Sequence, residues 1–295
     1  MFGRGANAFL LETRDDRKRP VVNAIPAPSR VVDSDYDTTL SAEEEGTFFA
    51  SLHQSDGTTR MTSSGRLTDV NAAIAGHLPA GSPLTALDAG ISSGISTFDW
   101  LLSLEALGRT CAMTAFDRSV SARLYRFGRI QVLAERNGYV LLMHDGRRAF
   151  TRPVHRTGAW NNRAARTAFR LADAVAQVAE AMGTGKHAWL VSQRLRSRPD
   201  VRVMEHDIFS PAADWNGRFD VVRVANLLNR SYFPEQLLRT GLRNAGAWVR
   251  QGGLLAVART GTNGQNHATL FRRETTGLRA IHRLGLGSEV EALVR

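Results

Sequence analysis

Lysine is nearly missing from this chain: of 38 basic residues in 295, only Lys18 and Lys186 are lysines. No Gly-x-x-x-x-Gly-Lys-Ser/Thr run exists, which excludes a loop that cradles phosphates and brings a lysine to them. Cysteine is scarcer still. Cys111 stands alone, so no disulfide can form within the chain, and no Cys/His spacing suits a zinc ion. It lies in the apolar run 110–116 and reads as a buried strand residue of a protein in a reducing compartment. The eight histidines are dispersed, His-Glu-x-x-His is absent, and no Gly-x-Ser-x-Gly elbow precedes a helix, so no metal is expected. No apolar run reaches the roughly 18 residues that span a bilayer. Residues 8–11 are too short for a signal-peptide core and run into Glu12 and Asp15, so a cytoplasmic protein is expected.

What is present is arginine, 36 residues of it, within a net charge of +10. The arginines are scattered from Arg4 to Arg295 without a stripe or interleaved stacking aromatics, a pattern that disfavours nucleic acid as a partner. A long-range pull on an anionic substrate or surface is still open to such a chain. The length and a hydrophobic content of 43% suffice for a full α/β core.

Residues 1–50 mix a charge run at 14–19, a Pro-rich stretch at 26–29 and the acidic 43–45 with little periodicity; they read as a partly disordered appendage to a domain over 51–295. Apolar residues at 67, 70, 74 and 78 predict a helix, closed by Pro79 and the turn at 81–83. Strands are expected at 84–88, 110–116, 201–205, 219–225 and 254–260, and helices at 97–107 and 233–249. Two further runs at 267–274 and 278–284 read as an antiparallel hairpin. Between 119 and 199 the pattern departs: Asn137-Gly138 marks a hairpin and 164–182 a long amphipathic helix, so an insertion of a hairpin plus helices is expected there.

The densest signal is at 84–97. An apolar run ends in Asp88, Gly90 and Gly94 make a tight turn, and a helix pattern follows; a second apolar run ends in Asp117, 23 residues after Gly94. Glycines here let a backbone approach a ligand, and an acid after the second strand can receive ribose hydroxyls. The Gly-x-Gly-x-x-Gly spacing of dinucleotide folds fails, because Ser92 and Ile95 stand where two glycines are required, which disfavours a nicotinamide oxidoreductase. The actual pattern, Asp88-x-Gly90-x-Ser92-x-Gly94, resembles the first motif of class I S-adenosylmethionine-dependent methyltransferases, with Ser92 in place of the middle glycine. The Gly252-Gly253-Leu254 turn and strand are similar to that family as well, and the resemblance spans about residues 66–117 and 200–286.

The resemblance implies a Rossmann-like α/β fold, doubly wound, with a mostly parallel seven-stranded sheet closed by the hairpin. It implies S-adenosyl-L-methionine as cofactor, bordered by Asp88, Gly90, Ser92 and Gly94, with Asp117 on the ribose, Asp207 and the Ile208 amide on adenine, and Asn226 near the methionine part. Asn229, Arg230 and Tyr232 are placed to orient an acceptor, a helix-capping turn being their alternative role. The segment 225–232 lacks the Asp/Asn-Pro-Pro-Tyr motif of enzymes that methylate planar amino nitrogens. A small-molecule or acidic acceptor is expected, and no residue has a claim as general base. The competing function is a catalytically silent, cofactor-binding regulatory or scaffold protein.

Overall fold

The computed structural model describes residues 25–33, 40–60, 63–78, 83–152 and 161–294. The charge run at 14–19, the Pro79 stop and the first two residues of the turn at 81–83 lie outside them. In chain order, α1 (Pro28–Val32), α2 (Ala42–Ala50) and α3 (Thr68–His77) lead into β1 (Leu84–Ala89), α4 (Ile95–Ala106) and β2 (Cys111–Asp117). Strands β3 (Ser121–Phe127), β4 (Ile130–Ala134), β5 (Val140–His144) and β6 (Ala149–Thr151) follow, then the long helix α5 (Asn161–Ala181), β7 (Lys186–Trp189) and the one-turn α6 (Gln193–Arg196). The chain ends with β8 (Val201–Glu205), β9 (Phe219–Ala225), α7 (Glu235–Trp248), β10 (Val249–Thr260) and the hairpin β11 (Asn266–Glu274) and β12 (Gly277–Leu284).

Seven strands form one sheet in the order β12-β11-β10-β9-β1-β2-β8. The five from β10 to β8 run parallel, while β11 pairs antiparallel with β10 and β12 with β11. Parallel strands are covered on both faces, so their sequences are apolar at consecutive positions rather than at alternate ones. In β1, Leu84 and Ala86 pack with α3 and α4 on one face, while Leu87 and Ala89 join Leu238, Leu242 and Trp248 of α7 on the other. This is the doubly wound, Rossmann-like α/β fold expected of the sequence. Cys111 is buried in β2, where burial pushes its thiol up to about 12.

The insertion is larger than a hairpin plus helices. Five strands form a second, antiparallel sheet in the order β6-β5-β4-β3-β7, with α5 packed on it. The Asn137-Gly138 turn joins β4 to β5, with Gly138 at φ +81°. Strands β3 and β7 escaped the sequence reading because each mixes Arg, Lys or His with apolar residues, and they pair with one another across some sixty residues of chain. Of the stretch 1–50, residues 1–24 and 34–39 lie outside the described residues. The remainder is built into the second sheet: Val31, Val32, Phe48, Phe49 and Leu52 share a core with Leu124, Leu133, Leu142 and Leu190. A capping box starts α2, with Ser41 Oγ accepting the Glu44 amide at 3.1 Å and Glu44 accepting the Ser41 amide at 2.9 Å.

Candidate functional site

Strand order reverses between β1 and β9. From β1 the chain steps outward through β2 to β8, then crosses back to β9 and continues to β10 on the other side. In an open parallel sheet the crevice beyond the carboxyl ends of two such strands is where ligands bind. The loops at 90–94 and 226–232 border it here, flanked by 117–119 after β2 and 206–208 after β8.

Backbone strain is concentrated at this crevice. Ser92 (φ +56°) and Asn226 (φ +57°) are the only non-glycine residues with positive φ among the described residues, and they lie on the two loops that flank the reversal. The left-handed region costs an L-residue roughly 1–2 kcal/mol. Hydrogen bonds hold both in place. The Ser92 amide donates to Asp117 Oδ2 at 2.8 Å, and its carbonyl accepts from Arg60 Nη1 at 2.8 Å. Asn226 Oδ1 accepts the Thr260 amide at 2.7 Å, and its own amide donates to the Ala258 carbonyl at 2.8 Å.

Arg60, a residue no local sequence pattern marks, is only 1% exposed. Its guanidinium also donates to the carbonyls of Leu190, at 3.1 Å, and Ser119, tying the loops after β1 and β2 to the end of β7. Burial lowers its pKa, while Asp117, Glu135, Asp56 and Glu205 pull it upward. Asp117 is half-buried and accepts the Ser92 amide on one oxygen and the Ser119 amide, at 3.3 Å, on the other. A carboxylate offers about four lone-pair sites, so capacity for two hydroxyl donors is left. Next to it, a polar pocket of about 340 Å³ opens between the two sheets, lined by Ser55, Asp56, Arg118, Ser119, Glu135 and Glu205 among others.

Asp88 takes a different place from the one expected. It lies in register with Arg223 of β9, and both side chains face α3 and α4. Its carboxylate accepts Arg223 Nε at 2.9 Å, Nη2 at 2.6 Å and Thr97 Oγ1 at 2.7 Å. Arg223 donates onward to Asn71 Oδ1 (2.6 Å) and the Ser96 carbonyl (3.1 Å), and lies 4.4 Å over the Trp100 ring. Asp88 therefore anchors the start of α4, because a buried guanidinium demands a carboxylate. The signal was legible in Arg223 itself, a charge set among the apolar residues 221–225.

The glycines also serve the protein's own packing. A Cβ on Gly90 would stand 2.9 Å from Leu227 Cδ2, and one on Gly94 would stand 2.6 Å from Leu195 Cδ2. Both need φ near +75°, so glycine is required here whether or not a ligand approaches.

On the acceptor side, Asn229 is buried and structural. Its Oδ1 accepts the Ser231 amide and Arg259 Nη1, each at 2.7 Å, and its carbonyl accepts the Tyr232 and Phe233 amides at 3.0 Å. Arg230 Nε donates to the Glu289 carbonyl at 2.9 Å. Their capping-turn alternative is the one the contacts match, while Tyr232 stands 65% exposed on the same turn. Asp207 Oδ1 accepts the Phe209 amide at 2.9 Å, and Ile208 is anchored in the core with Phe116 and Trp215. His206 packs edge-to-face against Phe116 and Trp248 and at a tilt against Trp215. Neither crevice loop, 90–94 or 226–232, contains a histidine or carboxylate.

Ser92 Oγ on the crevice loop and Arg60 Nε behind it are buried without a hydrogen-bond partner among the described residues, as are Trp100 Nε1, Arg196 Nη2 and His206 Nε2. The spare lone pairs of the half-buried Asp117 fit the hydroxyl donors of a ligand of the adenosyl type. Among the described residues no group of three His, Cys, Asp or Glu side chains could hold a metal ion, and no helix is long and apolar enough to cross a membrane.

No protein-family model matches the chain, and no curated protein matches it. Solved structures do. The C-methyltransferase domain of the citrinin polyketide synthase is similar over 61% of this chain and 30% of its own, at 17% identity and a TM-score of 0.30. An O-methyltransferase family protein from Burkholderia thailandensis is similar over 66% and 38%, at 13% identity and a TM-score of 0.31. Phosphoethanolamine N-methyltransferase 1 of Haemonchus contortus, in complex with phosphoethanolamine and S-adenosylhomocysteine, is similar over 67% and 26%, at 12% identity and a TM-score of 0.32. The matches thus take in 26–38% of these chains.

Proposed function

We propose that this chain binds S-adenosyl-L-methionine at the β1/β9 crevice and transfers its methyl group to a small-molecule or acidic acceptor. The observation that carries the reading is the strain at Ser92 and Asn226, the two loops the strand reversal selects. Non-glycine residues held in the left-handed region cluster at ligand sites, where the surroundings over-determine an unfavourable backbone. The motif resemblance at 88–94 and the spare acceptor capacity of Asp117 support the same site.

Asp117 holds the ribose hydroxyls through its spare lone pairs, with charge-assisted strength. Asp207 and the Ile208 amide meet the adenine edge, while Gly90, Ser92, Gly94 and Asn226 shape the loops at the methionine end. Asp88 acts from behind, by fixing the first turn of α4. Arg60 enters as a positioning residue, since it holds the Ser92 carbonyl. The cofactor supplies a methyl group on a sulfonium, a leaving group that needs no protonation. The chain's task is then alignment, which alone can lower a barrier by roughly 7–11 kcal/mol. Loops without a histidine or carboxylate suit an acceptor that arrives deprotonated, such as a carboxylate.

Isothermal titration of the full chain with S-adenosylmethionine and with its demethylated product tests this directly. Saturable binding, weakened at least about tenfold by Asp117→Asn through loss of charge-assisted hydrogen bonds, is expected; no heat at millimolar ligand would sink the reading. A silent cofactor-binding protein is the second reading, favoured by one observation: Asn229 and Arg230 are tied to Arg259 and Glu289 rather than open to an acceptor. Binding without turnover over a broad acceptor panel selects it.

A further inference from the structure

The strained Asn226 is held by more than its backbone. One residue, Thr260 at the end of β10, grips both ends of its side-chain amide. Oδ1 accepts the Thr260 amide at 2.7 Å, and Nδ2 donates to Thr260 Oγ1 at 3.4 Å. A backbone N–H can meet only an acceptor, so the Asn226 amide has one orientation. Nδ2 carries two N–H donors, and this grip uses one of them. Thr260 is held in turn. Its hydroxyl donates to Asn266 Oδ1 at 2.7 Å and accepts Arg66 Nε at 3.2 Å. Asn266 Nδ2 donates to the Arg66 carbonyl at 2.7 Å and to Asp69 Oδ1 at 2.6 Å, which ties the network to the first turn of α3.

The other end of the crevice is built alike. There Asp117 accepts the Ser92 amide, and Arg60 donates to the Ser92 carbonyl. Arg60 and Arg66 lie six residues apart in the chain, so one short segment reaches both networks. Asp117 ends β2 and Asn226 follows β9, two strands away in the sheet. At about 4.8 Å per strand the two stand roughly 10 Å apart. A ligand that meets both carries hydroxyls at one end and an acceptor for an N–H at the other.

We infer that Thr260 is the positioning residue for the amino-acid arm of the cofactor, holding Asn226 so that its second Nδ2–H meets the arm's carboxylate. Arg66 and Asn266 hold Thr260 for that task. The inference rests on the cofactor reading above and deepens it, by assigning the network that recognises one half of the ligand. A carboxylate is the matching chemistry because an amide N–H and the half-buried Arg66 guanidinium both complement negative charge. Asp69, the carboxylate of the network, is engaged by Asn266 Nδ2 and by the Val70 amide at 2.8 Å.

Titration calorimetry of the full chain with two ligands tests the inference: S-adenosylmethionine, and methylthioadenosine, which keeps the adenosine and lacks the amino-acid arm. Thr260→Val keeps the shape of the side chain and removes the hydroxyl. It should weaken S-adenosylmethionine at least about tenfold, the loss of one charge-assisted hydrogen bond, and leave methylthioadenosine within about twofold. Thr260→Ser returns the hydroxyl and should return most of the affinity. Asp117→Asn, at the ribose end, should weaken both ligands alike. Partial unfolding would also weaken both, so the difference between the ligands separates positioning from a general loss of structure. Equal weakening of both by Thr260→Val, unchanged binding of S-adenosylmethionine, or failure of Thr260→Ser to restore it overturns the inference and leaves the cofactor reading intact. Binding of neither ligand by the unaltered chain sinks that reading and takes the inference with it.

Discussion

The seven-stranded and five-stranded sheets share one chain but distribute their difficult features differently. In the first, a fully buried ion pair lies under α4, two non-glycine residues are held in the left-handed region, and buried polar atoms of Ser92, Trp100 and His206 lack partners among the described residues. In the second, the tight turns fall on glycines such as Gly128, Gly138 and Gly146, which adopt positive φ without penalty. Its ion pairs stand nearer to solvent, as with Arg152 and Asp173. The unfavourable feature of the second sheet lies outside, where Leu171, Val175, Val178 and Met182 of α5 stand exposed. Tension inside a crevice belongs with a ligand.

The largest effect that would break this contrast concerns the ion pairs. Asp88→Asn leaves Arg223 buried without a counter-charge and should remove about 3–5 kcal/mol in urea unfolding. Asp173→Asn in the second sheet should remove clearly less, because water screens that pair. Equal losses would erase the distinction.

Glycine replacements sharpen it next. Asn tolerates the left-handed region, so Gly128→Asn, where nothing lies within 4 Å of the added Cβ, should change stability by no more than about 0.5 kcal/mol. Gly90→Asn meets Leu227 at 2.9 Å and should cost about 1–3 kcal/mol by overpacking. Part of that loss should return when Leu227→Ala is added, as measured by a double-mutant cycle.

Ser92→Gly separates stability from binding. Relief of the left-handed strain should raise stability by up to about 1 kcal/mol, whereas removal of the Ser92 hydroxyl should weaken cofactor binding several-fold in titration calorimetry. A variant that gains stability and keeps full affinity would show that the strain serves no ligand.

The smallest effect is the acid response. Hydrogen bonds from Arg198 hold Asp200 below the usual carboxylate range, and those from Arg283 do the same for Glu291. In the second sheet burial pushes Glu180 upward, but hydrogen bonds from Tyr125 and Arg123 outweigh it and leave it lowered. Groups depressed on folding contribute fully above their unfolded values of about 4, and that stability drains as pH falls through the native ones. Both sheets should therefore weaken together below about pH 4, as read by urea midpoints across a pH series.

Much of the first sheet was legible because its signals are local. Runs at 84–88, 201–205 and 219–225 and the glycines at 90 and 94 announce strands and turns within a few residues of themselves. The tight turn at 137–138 was equally plain. Strands β3 and β7 were not, since neither is apolar enough alone and each is completed by the other from far along the chain. The same holds for Phe48 and Phe49, whose core partners lie in the inserted sheet.

By itself the sequence determined the order of elements in the first sheet, its parallel core, and which loops end at the central strands, because periodicity and turn chemistry are properties of neighbouring residues. Only the tertiary structure decided that Asp88 belongs to Arg223, that Arg60 clasps three loops, and that Asn229 closes a turn. The direction a side chain takes is set by what is packed against it from other segments. A carboxylate beside a buried guanidinium has no favourable alternative.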